Sequence, residues 1–323
     1  MEPQGEEIRI GVSSCLLGER VRYDGGHKLD HFIRDTLGSY VRLVPVCPEV
    51  ELGLGAPRET MQLVDNAAMR HVQLVSTHNK IDRTEEMRRY ALARCATLRK
   101  EGLSGYIVQT RSPSCGVASV PVTRENSEQV TTPISTGLFA HTLQEEFPNL
   151  PIAESIQLAN RQSRSRFFRC AFAYSRLRRI FSSAWTLAHL VAFHAQEKML
   201  LLAHDRGGLT RLGRLVANAK TRPYDELRDA YTREFLDTVA KHSTRGNQVD
   251  VLQHMCGHLR SKLKSEQRQV LHNRIESFRN GKAPLLSVSE MIRHHANKHD
   301  VTYVAQQSFL NPHPSELILR TIA

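Results

Sequence analysis

Six cysteines occur in the 323 residues, and three of them stand in similar surroundings: Cys15 in SSCLLGE, Cys47 in PVCPEV and Cys115 in RSPSCG. Each follows closely on a run that reads as a β-strand, IRIGVSS (8–14), VRLVPV (41–46) or GYIVQT (105–110). Each also sits in a loop containing Gly or Pro. In a parallel sheet the carboxyl ends of the strands share one edge, where open α/β folds bind ligands. Cysteines far apart in sequence can therefore meet there. Three thiolates converging on one point form a soft donor set, suited to zinc, copper or an iron–sulfur cluster. The other reading is that small residues merely fill the strand ends, since no Cys-x-x-Cys pair occurs. Of the remaining cysteines, Cys95 and Cys256 fall on apolar helical stripes and read as core fillers. Cys170 lies among arginines, with either role open.

The elements that would position the trio alternate between strand and helix signals. LDHFIRDTLG suggests a short helix, CPEVELGLGAPRET (47–60) a long loop, and HVQLVS (71–76) a further strand. Residues 82–102 give the clearest helix: Asp82 with Glu85 forms an N-cap signature, and Gly102 stops it. Met87, Tyr90, Ala91, Cys95 and Leu98 recur on one face of it. Strands alternating with helices predict an α/β domain with a mostly parallel sheet over residues 1–155. Beyond that the strand signals fade. An arginine-rich connector is expected over 156–184, then an all-α basic domain over 185–323.

Charge divides with the elements. Residues 1–150 carry 17 Lys+Arg against 19 Asp+Glu, a net −2, whereas 151–323 carry 27 against 14, a net +13. Such asymmetry points to a polyanionic partner for the second half, or to a solvated basic surface. The stretch NRQSRSRFFRCAFAYSRLRRIFSS holds seven arginines and no acid, interleaved with Phe167, Phe168, Phe172 and Tyr174. There is no GxxxxGK[ST], no GxGxxG after the first strand and no HExxH, so no nucleotide cofactor is expected. MEPQGEE is acidic and no apolar h-region follows it, and no run of about eighteen apolar residues occurs, so neither a secretory signal nor a membrane partner is expected. A cytoplasmic location follows as the expectation, with the thiols reduced and no disulfide framework.

The loops SSCLLGERVRYDGGHK, PVCPEVELGLGAPRET and RSPSCG, with the later GLFAHTLQEEFPNLP, resemble in order the signature of the thiouracil desulfidase family. The second half, from AFHAQEKMLLLAH through VLQHMCGHLR to FLNPHPSELILR, is similar to the YbgA-type helical domain often fused behind it. The fused arrangement resembles the tRNA 4-thiouridine desulfidases. That resemblance implies a 4Fe-4S cluster held by Cys15, Cys47 and Cys115, with one iron left without a protein ligand. It implies Glu49 as general acid/base and Ser112 as relay or substrate contact, with Ser114 as the alternative to Ser112. Tyr23, Asp24, His27 and Arg58, in the same loops, are candidate substrate contacts. The implied reaction is non-redox removal of sulfur from 4-thiouridine in tRNA, giving uridine and sulfide. A desulfidase of free thiopyrimidine bases or nucleosides is the alternative, as is an RNA-binding protein with a structural or redox-sensing cluster. Candidate RNA contacts are Arg164, Arg166, Arg169, Arg176, Arg178, Arg179 and Lys198, with the interleaved aromatics available for stacking on unpaired bases.

Two stretches depart from the family pattern. After SPSCG the chain reads VASV where a Met-Glu-Arg-like stretch is usual. After Pro151 it reads IAESIQLANRQ where an acidic pair and Gly-Arg are usual, with Glu154 as the one remnant.

Overall fold

A computed structural model describes residues 7–66, 71–118, 120–124, 130–181, 184–314 and 317. Eight strands follow in chain order: β1 (Arg9–Ser13), β2 (Arg42–Val46), β3 (Met61–Asn66), β4 (His71–Ser76), β5 (Gly105–Val108), β6 (Val120–Arg124), β7 (Val130–Ser135) and β8 (Ile152–Glu154). The helices of this half are α1 (Pro48–Glu51), α2 (Thr84–Glu101) and α3 (Leu138–Glu146). By residue contacts, everything up to Phe167 forms one compact unit and Phe168–Leu319 another.

The first sheet has the order β2-β1-β5-β8, and every neighbouring pair is parallel. β1 is buried from Ile10 onward and β5 throughout, as continuous apolar runs in a parallel sheet require. The three strands expected to precede the cysteines are thus neighbours. β1 has no room for a side chain at Gly11: a Cβ there would overlap the ring of Tyr106, which sits opposite it on β5.

The expectation of a mostly parallel layer holds for this sheet, but HVQLVS does not join it. It forms β4, antiparallel to β3, in a second sheet of order β4-β3-β6-β7 in which only β3–β6 is parallel. β3 (MQLVDN) follows the Gly/Pro-rich loop without a break in polarity and was not foreseen.

Helix α2 starts two residues later than its sequence signature suggests. The N-cap is Arg83 and not Asp82, and no side chain caps the helix; Asp82 Oδ1 accepts from Thr84 N at 2.8 Å just outside it, while the Thr84 hydroxyl accepts from Leu74 N at 2.9 Å. The Thr84 hydroxyl ties α2 to β4. LDHFIRDTLG is not an α-helix. It winds as a π-helical turn (Phe32–Thr36) running into a 3-10 turn (Leu37–Ser39), started by Asp30 Oδ1 accepting from Ile33 N at 3.1 Å. Within 47–60 the loop contains the single helical turn α1.

The arginine-rich stretch is helix α4 (Arg161–Phe181), and the division between the two units falls inside it. After it come α5 (Leu187–His204), α6 (Arg206–Ala217), α7 (Tyr224–Ala240), α8 (Arg245–Leu259), α9 (Ser265–Arg279), α10 (Leu285–Lys298) and the short α11 (Thr302–Ala305). α5 is the central helix, packing on α6, α7 and α8, and it is apolar around much of its circumference. Its one fully buried charge, Glu197, is matched by Arg176 Nε at 2.6 Å and by the Ser308 hydroxyl at 2.6 Å. No helix among the described residues is long and apolar enough to cross a membrane.

Two predictions follow from this packing. Gly11→Ala forces Tyr106 from its place, an overpacking that costs about 1–3 kcal/mol. The unfolding midpoint should fall accordingly and recover in Gly11→Ala/Tyr106→Leu. His204 lies 2.7 Å through Nδ1 from the Lys241 carbonyl, and burial, with Arg169 adding to it, pushes its pKa down to about 4. In the unfolded chain the same group takes its proton near pH 6.5. Between these values the unfolded state binds the extra proton, so stability is full above about pH 6.5 and is lost as pH falls toward 4. Thermal melts of wild type and His204→Asn at pH 7.5 and 4.5 should show the smaller pH loss in the variant.

Candidate active site

β1 delivers Ser13 and Ser14 into a 3-10 turn that carries Cys15. The loop beyond returns to it, with Lys28 N donating to Cys15 O and Asp30 N to Leu16 O, both at 2.9 Å. β2 leads straight into Cys47, the N-cap residue of α1; Pro48 occupies the first helical position, where no amide donor is needed. The turn after β5 is built around Ser112, whose Oγ accepts from Ser114 N (3.3 Å) and Cys115 N (3.1 Å). Gly116 N closes the turn on Ser112 O at 2.8 Å, and a Cβ on Gly116 would press into Val120 and the Ser112 backbone. The first turn of α3 then takes up three carbonyls of the same loop: Pro113 from Leu138 N, Ser114 from Ala140 N and Gly116 from Gly137 N.

The three thiols are buried, and all three line one cavity of about 490 Å³ together with Glu49, Arg58 and Ser112. They sense one another electrostatically. Burial, then Cys47 and Glu49, pushes Cys15 up to about 12, against the pull of Arg22. Burial and Glu49 push Cys47 up to about 11. Cys115 is driven well above the usual thiol range by burial, then by Glu49, Cys47 and Cys15. Among the described residues no three His, Cys, Asp or Glu side chains close on a single ion. The thiols instead surround a space.

Glu49 is 8% exposed. Its Oε2 lies 3.3 Å from Arg58 Nη2 and 3.7 Å from Cys47 Sγ. Arg58 is fixed in turn by Nη1, which donates to Val21 O and Gly55 O, each at 2.8 Å. The carboxylate next to the thiols thus has one buried cation, itself anchored to two loops.

The remaining candidates separate. Tyr23, 45% exposed, stands at the cavity rim with Arg22 over its ring. Asp24 and His27 do not line the cavity; Asp24 accepts from Gly26 N at 3.0 Å and His27 Nδ1 accepts from Leu29 N at 3.3 Å, which shapes the loop. Ser112 lines the cavity, whereas Ser114 is fully buried beneath the start of α3 and does not. Lining residues not foreseen include Arg22, Lys28, Gln109, Thr110 and Arg111. Nothing in their spacing marks them; only the folding of three loops onto one edge does. Glu154 was seen as a remnant and has a definite place. It is 4% exposed, and its Oε1 accepts from Val117 N (2.9 Å) and Ala118 N (3.2 Å). The two stretches that depart from the family pattern therefore bind each other, behind Cys115.

The basic candidates are more divided. Arg164 is 4% exposed and lies over the Phe32 ring at 4.9 Å. Arg169 donates to Val239 O at 2.9 Å, and Arg176 pairs with buried Glu197. Arg166, Arg179 and Lys198 are exposed and Arg178 is half-buried. The interleaved aromatics are not a stacking platform: Phe167, Phe168 and Phe172 are buried and Tyr174 is half-buried, because α4 spends its apolar positions on packing.

A family model for 2-thiouracil desulfurase matches residues 10–155, a span that includes all three thiols, Glu49 and Ser112. The uncharacterized protein YbbK of Bacillus subtilis (strain 168) is 31% identical over 110 residues, which are 33% of this chain and 72% of that protein. The chain belongs to the 2-thiouracil desulfurase family. Membership places it among enzymes that remove sulfur from thiopyrimidines. A second family model, a protein of unknown function (DUF1722), matches residues 198–314. The uncharacterized protein YbgA of Escherichia coli (strain K12) is 26% identical over 150 residues, 46% of this chain and 89% of that protein. The expected fusion of a desulfurase domain to a YbgA-like domain is thus present. Among solved structures, a 4Fe-4S-dependent thiouracil desulfidase, TudS, matches at 27% identity and a TM-score of 0.39, over 47% of this chain and 93% of that one.

Removing the cation that neutralises Glu49 tests the site's electrostatics. Arg58→Met leaves a carboxylate buried beside three thiols without its partner, which should cost about 3 kcal/mol of unfolding free energy. Arg58→Lys should recover part of that, measured in the same denaturant titration.

Proposed function

We propose that this protein is a 4Fe-4S-dependent desulfidase that converts 4-thiouridine in tRNA to uridine, releasing sulfide. The observation that carries the reading is the convergence of three buried thiols and Glu49 on one cavity. This donor set fits the cluster: three soft ligands come from three separate loops, they surround a space and not a point, and the other cysteines do not line the cavity. Cys15, Cys47 and Cys115 would hold it. When bound, such a cluster would supply a Lewis-acidic iron to polarise the carbon–sulfur bond of the thiocarbonyl.

The chain's own groups do the rest. Glu49, adjacent to the thiols and held by Arg58, takes a proton from the water that attacks C4 and returns one to the departing sulfur. The C4–S bond breaks, a C4–O bond forms, and hydrosulfide leaves with no net change of oxidation state. Ser112 presents its hydroxyl to the cavity while its oxygen holds the Cys115 turn, so it can contact substrate without moving the ligand loop. The net +13 of residues 151–323 supports a polyanionic substrate, and Arg179 and Lys198 are among its exposed cations.

The test is anaerobic incubation of the cluster-reconstituted full chain with thiolated tRNA and, separately, with free 4-thiouracil, following sulfide and the near-ultraviolet band. Turnover of tRNA is expected, falling steeply with salt as phosphate contacts demand, and abolished in Cys115→Ala. Consumption of free base with untouched tRNA at low salt would move the assignment to a free-thiopyrimidine enzyme. No sulfide from either substrate with the cluster intact would end it.

A further inference from the structure

Helix α1 is a single turn, and the loop that follows it has little packing of its own: Gly53 and Gly55 both adopt positive φ and face open space. Something else must fix the backbone at Cys47. The side chain of Glu51 does so. Its Oε1 reaches back one turn to accept from Cys47 N at 3.1 Å. Its Oε2 accepts from the Tyr90 hydroxyl at 2.7 Å and lies 3.0 Å from Arg94 Nε. Tyr90 and Arg94 are one turn apart on α2, the longest helix of this unit. Arg94 also reaches the Pro45 carbonyl at 3.4 Å, on the strand that leads into Cys47. One carboxylate thus joins the amide of a thiol-bearing residue to two side chains of a rigid helix, on the side away from the cavity; Glu51, Tyr90 and Arg94 do not line it.

We infer that Glu51 is a positioning residue for the Cys47 corner of the site, with Tyr90 and Arg94 as its anchors on α2. The inference rests on the reading of Cys47 as a cluster ligand. Glu51 carries no proton in the reaction and touches no substrate; it acts through the Cys47 backbone. Two acceptor oxygens are required because two hydrogen-bond donors and the Arg94 cation converge on them. Glutamine keeps the shape but turns an amide N–H₂ toward either Cys47 N or the Tyr90–Arg94 pair, setting donor against donor. Groups that orient metal ligands in this way typically alter affinity or activity by about 10- to 100-fold when removed.

The full chain, loaded with cluster under anaerobic conditions, is compared as wild type, Glu51→Gln and Tyr90→Phe. Three quantities are read: iron and sulfide content, the rate of cluster bleaching by a chelator, and kcat against KM on the thiolated substrate. Glu51→Gln should lose iron about tenfold faster than wild type and show a kcat lowered by about tenfold at unchanged KM. Tyr90→Phe keeps the carboxylate and removes one hydroxyl, so it should show a smaller loss in the same direction even if Glu51→Gln folds poorly. Wild-type iron-loss rates and kcat in both variants would overturn the inference while leaving the cluster assignment standing. A wild-type chain that binds no iron would overturn both. Iron release needs no choice of substrate, so failure of the tRNA assignment alone leaves this readout intact.

Discussion

Because β1 pairs in parallel with both β2 and β5, the residues that follow these three strands emerge on one edge of the sheet. An antiparallel partner at any of the three positions would send one thiol to the opposite edge. The close approach of β5 to β1 is therefore a condition of the site as well as of the core. It rests on the absence of a side chain at Gly11, where the Tyr106 ring lies across the neighbouring strand. Chemistry at this edge starts from a steric fact about backbone spacing several residues away.

Convergence carries an electrostatic cost. Three thiols brought out of water beside a carboxylate resist ionisation, and the upward shifts of Cys15, Cys47 and Cys115 have burial as their first cause and Glu49 as a further one. Arg58 offsets the charge of Glu49 at 3.3 Å. A second carboxylate, Glu51, lies behind Cys47, where Tyr90 and Arg94 face it. The two acids of the PEVE turn thus have opposite placements: Glu49 opens onto the cavity and Glu51 faces the helix. Their spacing of two residues on a single helical turn suffices to place one at the cavity and the other against α2.

Legibility of the sequence followed the range of the interaction concerned. β1 and β5 are buried on both faces and edge strand β2 exposes only Arg42 and Pro45, so their apolar runs stand out, and the trio of cysteines could be picked by its position after them. The second sheet was hidden because β3 emerges from a Gly/Pro loop with a mixed pattern, and its parallel partner β6 lies far from it in sequence. Glu49 was reached only through the family resemblance, since nothing in CPEVE distinguishes a working carboxylate from a helix cap. Arg22, Lys28 and Arg111 read as ordinary surface cations until three loops fold toward one cavity. Ser112 and Ser114 are equivalent in RSPSCG, and only the docking of α3 on the Ser114 carbonyl separates them.

The arginines of α4 show the limit in another way. Seven arginines interleaved with Phe167, Phe168, Phe172 and Tyr174 suggested a surface that grips and stacks on RNA, yet packing claimed these aromatics and internal partners claimed Arg169 and Arg176. Which cation faces outward is decided by helical phase against a core that is not visible in the segment itself. The net charge survives this sorting. Each internal pair, such as Arg176 with Glu197, removes one charge of each sign, so pairing leaves the +13 of residues 151–323 unchanged. A surplus of that size cannot be neutralised from within the segment and must be met by solvent ions or by a partner. Displacing those ions is what drives a basic surface onto a phosphate backbone. The total is thus a sounder ground for a polyanionic substrate than any arginine chosen by its place in the sequence.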